Sequence, residues 1–295
     1  MRLVTCPFPS SIGRTKKAVA VLAIESSETD CRMTDDSTDN QRLMPALFVG
    51  HGWPMNGVED NEFAANWASI AHSIPRPSAI LCISAHWTSR GTFVSAASEP
   101  ETIHDFYGFP RRLYEIEYRA PGAPRLAEQI VQLAHSTRVR MHESRGFDHG
   151  TWVVLRRMYP EANIPTLQMS LDLSLKPSLH YRLGRELLSL RREGVLIIGS
   201  GNIVHNLALA RDTEQAYPWA LAFDREVAAR IDTEDHDALI DHRSLPNSKM
   251  AFVTDEHYLP LLCVLGTKER NEHVSHSAMR VVLASISMRC ILIHS

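Results

Sequence analysis

The sequence lacks the features that mark secreted, membrane-spanning and nucleic-acid-binding proteins. It has five cysteines in 295 residues, an odd number without a CxxC pair, so neither a disulfide framework nor a cysteine zinc site is expected. No apolar run approaches the roughly 20 residues that a membrane span requires. The 31 basic and 34 acidic residues give a formal net charge of −3, and no dense Lys/Arg stripe is present that would follow a phosphate backbone. We therefore expect a protein of the reducing cytoplasm without a membrane or nucleic-acid partner.

The first 43 residues differ in character from the remainder. The apolar run "AVAVLAI" (18–24) follows "RTKK" and loosely imitates a signal peptide, but it lacks a convincing small-residue cleavage site. The acidic, Ser/Thr-rich stretch that comes next is typical of a solvated linker. Met44 opens the first well-patterned segment. We therefore expect residues 1–43 to be a disordered or dispensable extension and residues 44–295 to form the functional domain.

From Met44 onward, short apolar runs alternate with amphipathic stretches of helical period. The apolar runs are bounded by Pro, Gly or Ser, as is typical of strands covered on both faces. The pattern predicts strands at 45–50, 79–84, 166–171, 195–200 and 281–288, and helices at 61–74, 123–136, 150–159, 176–194, 218–232 and 257–266. This alternation indicates an α/β fold, a single domain whose central mixed or mainly parallel sheet is flanked by helices.

Several histidines fall at or just past the predicted strand ends. His51 follows the first strand in "LFVGHGWP", His86 follows the second in "ILCISAHW", and His205 lies a few residues beyond the strand in "VLIIGSGNIVHN". His257 of "DEHYLPLL" stands at the predicted start of a helix. Carboxyl ends of parallel strands meet at one edge of a sheet, so these four imidazoles can converge on zinc or ferrous iron. The alternative is that each ring is an ordinary hydrogen-bonded or surface histidine, and the spacing alone leaves both interpretations open.

Two further segments contain candidate site residues. In "GFDHGTW", His149 stands at a predicted helix start, where the helix dipole disfavours an imidazolium and leaves a neutral ring that can accept a proton. The same segment is also explained by Asp148 acting as a helix cap. The Gly/Pro-bounded loop "TIHDFYGFP" contains His104 and Phe106, whose rings either line a pocket or pack on the sheet.

Six ordered motifs between Met44 and about Met288 resemble one known family. They are "MPALFVGHGWPMN", "SAHW", "TIHDFYGFP", "GFDHGTW", "GSGNIVHNL" and "EHYLPLLCVLG". Together they are similar to the 4,5-DOPA dioxygenase extradiol family within the class III extradiol ring-cleaving dioxygenases. The resemblance implies a single α/β domain with a metal ion at one end of the sheet, and cleavage of a catechol ring by O₂. Carried over by motif, it implies zinc ligands at His51, His86, His205 and His257 and a proton-transfer role for His149.

The implied ligand set is in tension with the implied reaction. Ring opening requires a redox metal with open positions, usually Fe(II) on two histidines and one carboxylate, whereas four histidines close a tetrahedral zinc site. Either Fe(II) is the working ion, or one histidine acts on the substrate instead of the ion. We choose His205 for this dual role, in which a histidine at a ligand position acts on the substrate. Glu256 is then an alternative carboxylate ligand, ranked below His257. Trp53 also departs from the small residue usual in the family, which makes a catechol a firmer expectation than DOPA itself.

The resulting functional hypothesis is a metal-dependent extradiol dioxygenase. One divalent ion would bind both oxygens of a catechol such as L-DOPA, and His149 or His205 would remove the second hydroxyl proton. Cleavage at the 4,5 bond would give a seco-DOPA semialdehyde that can cyclise. Trp87, His104 and Phe106 are candidates for lining the ring site. The alternatives are a zinc-dependent hydrolase on the same scaffold and, third, a non-catalytic metal-binding protein.

Overall fold

A computed structural model describes residues 43–295, so the extension predicted for residues 1–43 lies outside the described residues except for Leu43. The strands are β1 (Ala46–Gly50), β2 (Ala79–Thr88), β3 (Thr92–Ser95), β4 (Val139–His142), β5 (Thr166–Leu171), β6 (Val195–Gly201), β7 (His273–Ser277), β8 (Val281–Val282), β9 (Ile286–Ser287) and β10 (Cys290–His294). The helices are α1 (Glu62–Ser73), α2 (Arg111–Tyr114), α3 (Pro124–Leu133), α4 (His149–Met158), α5 (Pro177–Leu187), α6 (Ser189–Arg192), α7 (Pro218–Asp232), α8 (His236–Ile240), α9 (Ser248–Ala251) and α10 (Leu259–Gly266).

The predicted α/β class is confirmed by one large mixed sheet of order β4-β3-β5-β2-β6-β1-β10-β7. Its centre, β5-β2-β6-β1, is parallel, while β10 pairs antiparallel with both β1 and β7. Gly50 of β1 is opposite Gly201 of β6, and Ser84 of β2 is opposite Ser200. The register therefore brings the carboxyl ends of three central strands to the same edge of the sheet.

The sheet is covered on both faces, which explains the near-continuous apolar runs of its central strands. Alternate residues of β1 enter different cores: Phe48 packs in a cluster with Phe223 of α7, and Leu47 packs in a cluster with Trp67 of α1 and Trp152 of α4. All five side chains are fully buried. The domain therefore has three layers, with helices on either side of the sheet.

Three details differ from the sequence prediction. The strand predicted at 281–288 is wrong, because β8 and β9 instead form a two-stranded hairpin that pairs with itself. Leu283 and Ala284 reverse the chain with φ of 47° and 63°, which a continuous strand does not allow. The helix predicted at 176–194 ends at Leu187 and restarts at Ser189. Finally, β2 extends to Thr88, so His86 lies within the strand and not beyond it.

The described residues also bear on the cysteine and membrane predictions. Cys82, Cys263 and Cys290 are free and buried, as is common for cysteines that pack as small apolar side chains. Between residues 43 and 295, none of the helices has the length and apolar character needed to cross a bilayer.

The start of α1 provides a first testable prediction. The side chain of Asn61 accepts hydrogen bonds from the backbone N–H groups of Phe63 and Ala64 at 3.1 and 2.9 Å. Asn61→Ala leaves both donors without this partner, so we expect the free energy of unfolding to fall by about 1 kcal/mol in chemical denaturation. Asn61→Ser retains a capping oxygen and should lose a few tenths at most; equal losses in the two variants would contradict the capping role.

Candidate metal centre

Three imidazoles form a nearly equilateral triangle at the carboxyl edge of the sheet. The ring centroids of His51 and His86 are 5.0 Å apart, those of His86 and His257 are 5.0 Å apart, and those of His51 and His257 are 5.3 Å apart. Imidazoles that share one tetrahedral ion through bonds of about 2 Å have ring centroids about 5 Å apart. The spacing of the three rings is therefore that of a histidine metal site.

Backbone contacts hold two of these residues, His51 and His257, against the end of β6. The N–H of His51 donates to the carbonyl of Gly201 at 3.1 Å, which fixes the residue after β1 against the end of β6. The N–H of Asn202 donates to the carbonyl of His257 at 2.9 Å. A Cβ on Gly201 would lie 2.1 Å from that carbonyl oxygen, so only glycine allows the segment before α10 to approach the strand so closely.

In two of the rings the outer nitrogen, Nδ1, contacts a neighbouring side chain; the inner nitrogen is Nε2. Nδ1 of His51 lies 3.0 Å from Ser200 Oγ, which itself donates to the carbonyl of Gly150 and must therefore accept from the imidazole. Nδ1 of His257 lies 3.3 Å from Glu256 Oε1, an acceptor. Both rings thus carry their proton on Nδ1 and have a lone pair on Nε2, which is how partners of metal-bound histidines select the tautomer.

The Nε2 atoms of these rings are suited to binding a cation. Nε2 of His51 faces Nε2 of His86 at 3.0 Å, and the proton of His51 is on its other nitrogen. Nε2 of His257 is buried and has no hydrogen-bond partner among the described residues. Buried polar atoms are rarely left unpaired, and a divalent ion between these lone pairs would satisfy them.

Burial also keeps the three rings neutral. It lowers the pKa of His51, His86 and His257 well below the ordinary histidine value, and the neighbouring imidazoles lower the pKa of each ring further. A neutral imidazole is the form that binds a metal ion.

His205 is the fourth imidazole of the group predicted from the sequence. Its ring stacks on that of His257, with centroids 3.4 Å apart and planes 8° from parallel. Burial and the nearby His149 lower the pKa of His205 to about 4. Ligand atoms of His205, Glu256 and His257 lie within 4.8 Å of one another, and Glu256 Oε2 is buried without a partner among the described residues. The alternative carboxylate ligand therefore also lies at this site.

His149 joins the cluster from the first turn of α4. Its ring centroid is 3.8 Å from that of His86 and 5.7 Å from that of His51. The predicted cap is confirmed, because Asp148 accepts from the N–H of Thr151 at 3.3 Å. Asp148 also accepts from Ser84 Oγ at 2.7 Å, and that hydroxyl accepts from the N–H of His86. The cap therefore ties α4 to β2 directly beneath the rings.

Asp105 is a site residue that the sequence analysis missed. Its Oδ1 lies 2.9 Å from both the backbone nitrogen and Nδ1 of His149, and its Oδ2 lies 3.6 Å from Nδ1 of His86. Burial raises the pKa of Asp105, but the hydrogen bonds from His149 outweigh it and bring the value to about 2. The motif "TIHDFYGFP" drew attention through its aromatic rings. No sequence pattern around its carboxylate indicates a contact with a histidine 44 residues away.

The residues predicted to line the ring site have different surroundings. The ring of Phe106 contacts His149, with centroids 5.7 Å apart, and it continues through Phe109 to the 44% exposed Trp53. The ring of His104 packs edge-on against that of Phe106, with centroids 5.7 Å apart, and its Nε2 lies 3.1 Å from the carbonyl oxygen of Ile116. His104 also lines a cavity of about 790 Å³ whose lining includes none of the clustered histidines.

Trp87, the third predicted lining residue, follows His86 in the part of β2 whose pairing with β5 is irregular. Its indole is buried, 5.7 Å from the ring of His142 and 5.0 Å from the guanidinium of Arg145. Among the described residues, its ring contacts do not include the clustered histidines.

The chain is similar to known proteins over most of its length. Residues 49–287 match the family model described as the catalytic LigB subunit of aromatic ring-opening dioxygenase. A protein of Escherichia coli (strain K12) named 4,5-DOPA dioxygenase extradiol is 43% identical over 252 residues, which cover 83% of this chain and 93% of that protein. The Beta vulgaris protein of the same name is 38% identical over 244 residues, covering 80% of this chain and 90% of that protein.

The chain is similar to solved structures as well, and one of them comes from Escherichia coli. The crystal structure of an uncharacterized protein from Escherichia coli K12 superposes with a TM-score of 0.75 at 39% sequence identity. The match covers 85% of this chain and 99% of that chain.

Proposed function

Because the chain belongs to the 4,5-DOPA dioxygenase extradiol family of LigB-type aromatic ring-opening dioxygenases, we propose that it cleaves a catechol such as L-DOPA in a metal-dependent reaction. Membership makes it an extradiol dioxygenase that uses O₂; the catechol and the ion are the proposed parts. Cleavage of the 4,5 bond gives a seco-DOPA semialdehyde that can cyclise.

The observation that supports the metal dependence is the close grouping of the His51, His86 and His257 rings, whose centroids are 5.0, 5.0 and 5.3 Å apart. His51 and His86 point their Nε2 atoms at each other across 3.0 Å, and the buried Nε2 of His257 is without a partner in the described part of the chain. We assign these three residues as ligands of one divalent ion. Three neutral imidazoles leave further positions of an ion open for a substrate.

His205 is the fourth imidazole at the site, and we assign it a different role from the three ligands. Four imidazoles complete a tetrahedral zinc site, whereas ring cleavage requires an open position and a redox-active ion. We therefore propose Fe(II) as the working ion and a substrate-directed role for His205 during turnover. Its stacking on His257 and its partial exposure support this dual role.

The substrate ring is proposed to lie against Phe106. The aromatic side chains from Phe106 through Phe109 to Trp53 run from the buried His149 to the protein surface, and they offer an apolar wall to a flat ring. His149 then accepts the proton of the second catechol hydroxyl. When bound, Fe(II) would supply the redox chemistry that joins the ionised ring to O₂.

Oxygen uptake after controlled metal loading tests this proposal. Metal-free protein is loaded anaerobically with Fe(II) or Zn(II), mixed with a panel of catechols that includes L-DOPA, and exposed to air while O₂ and a yellow product are followed. We expect uptake with Fe(II) and none with Zn(II), because zinc has no accessible redox step. L-Tyrosine, which lacks the second hydroxyl, is the matched control and should give none.

Absence of uptake by the iron form across the whole panel would contradict the proposal. Zinc-dependent hydrolysis of an amide or ester in the same preparation would then support the hydrolase alternative.

A further inference from the structure

The carboxylate of Asp105 stands between two rings of the histidine cluster. Oδ1 accepts from the backbone N–H of His149 at 2.9 Å and lies 2.9 Å from Nδ1 of the same residue. The contact between Oδ2 and Nδ1 of His86 is longer, at 3.6 Å, which exceeds hydrogen-bond distance. The geometry therefore links Asp105 more closely to His149 than to the metal ligand.

These contacts decide which nitrogen of His149 carries the proton. A carboxylate has acceptors only, so the short contact at Nδ1 requires that this nitrogen donate. The neutral ring then has its lone pair on Nε2. His149 is 6% exposed and its ring contacts both His86 and Phe106, so the ring lies between a proposed ligand and the proposed wall of the catechol site.

We propose that Asp105 is a positioning residue that holds His149 in the Nδ1–H tautomer and directs Nε2 at a hydroxyl group of the bound catechol. This inference rests on the proposed function, because it assumes that a catechol lies beside His149. A carboxylate that orients a histidine and stabilises its protonated form is a recurrent arrangement in general base catalysis.

The proton transfer is simple to balance. The O–H bond of the catechol breaks, its electron pair stays on the oxygen, and an N–H bond forms at Nε2 of His149. The products are a catecholate and an imidazolium, and Asp105 keeps its negative charge beside the latter. The imidazolium later returns the proton to product or to water. No oxidant is consumed in this step.

Asp105→Asn is the central variant, because it preserves an acceptor oxygen and removes the charge. We expect it to retain the ion and to keep KM within about threefold, while kcat falls by about 10- to 100-fold. Asp105→Ala removes the acceptor as well and should lose at least as much. Asp60→Asn is the matched control, since this carboxylate is 98% exposed and pairs with the guanidinium of Arg157, and the kcat of this variant should be unchanged.

A second measurement does not depend on turnover. 4-Nitrocatechol absorbs at different wavelengths in its singly and doubly ionised forms, and we expect zinc-loaded protein to bind it without oxidising it, because zinc has no accessible redox step. We expect the wild type to bind the doubly ionised form near neutral pH and Asp105→Asn to bind the singly ionised form. Identical spectra for the two proteins would overturn the proposal, as would loss of the ion from Asp105→Asn, which would mean that Asp105 acts through His86.

A double variant separates action through His149 from other effects. If Asp105 works only by orienting His149, then adding Asp105→Asn to His149→Ala should lower kcat by less than about twofold further. A full additional 10- to 100-fold loss would overturn the proposal. Failure of the wild type to consume O₂ would remove the proposed function, whereas turnover unaffected by Asp105→Asn would remove only the role of Asp105.

Discussion

Replacing His86 with Ala is expected to abolish retention of the divalent ion and to lower catechol-dependent oxygen uptake by more than about a hundredfold, because loss of a ligand exceeds the 10- to 100-fold effect typical of residues that only orient one. The substitution removes one of three inner nitrogens and leaves Nε2 of His51 without its 3.0 Å neighbour. Metal content after dialysis and the rate of O₂ consumption are the two readouts.

Two other histidine variants make this result specific. His72, an exposed residue of α1, is the control: His72→Ala should keep both the ion and the activity. His205→Ala should keep the ion, because the other three rings bind it, but should lose turnover, because His205 is proposed to act on the substrate. Full metal occupancy in His86→Ala would contradict the ligand assignment.

The largest expected change in stability is at Arg191, far from the reaction. This fully buried guanidinium pairs with the carboxylate of Glu272 and donates to the backbone carbonyls of Met44 and Thr267 at 2.7 and 2.6 Å. Arg191→Ala leaves a buried charge without its partner, so we expect the free energy of unfolding to fall by about 3–5 kcal/mol. Denaturant titration measures the change.

A surface ion pair provides the comparison for Arg191. Arg119 pairs with Glu117, and both side chains are more than half exposed. Arg119→Ala should therefore change the unfolding free energy by about 1 kcal/mol or less. If the two arginine variants lost similar amounts, the buried pair would not have the stabilising role assigned to it.

The sequence predicted the central sheet well because burial on both faces leaves a strong signal. The four runs at β1, β2, β5 and β6 are long and apolar, and parallel neighbours must end at the same edge. That rule is why His51 and His86, distant in the chain, were expected together. The register of β1 and β6 then brings their carboxyl ends side by side.

Other parts of the fold carried no such signal. β7 has the sequence "HVSHS", which is polar and only partly buried, so its place at the edge of the sheet follows from pairing with β10 and not from composition. Asp105 is a similar case within the site. Its role depends on contacts with His149 and His86, which are distant in the chain. A single carboxylate in an aromatic loop does not predict such contacts.

The rings of the cluster arrive from separate segments: the end of β1, the body of β2, the first turn of α4, the loop after β6 and the residues before α10. No short fragment contains the whole set, so an isolated peptide would have little affinity for the ion. A cation that binds only the assembled chain adds about 2.7 kcal/mol of stability at a hundredfold excess over its Kd. The metal would then link these segments at the edge of the sheet. A chelator that removes it would lower both the free energy of unfolding and the catalytic activity.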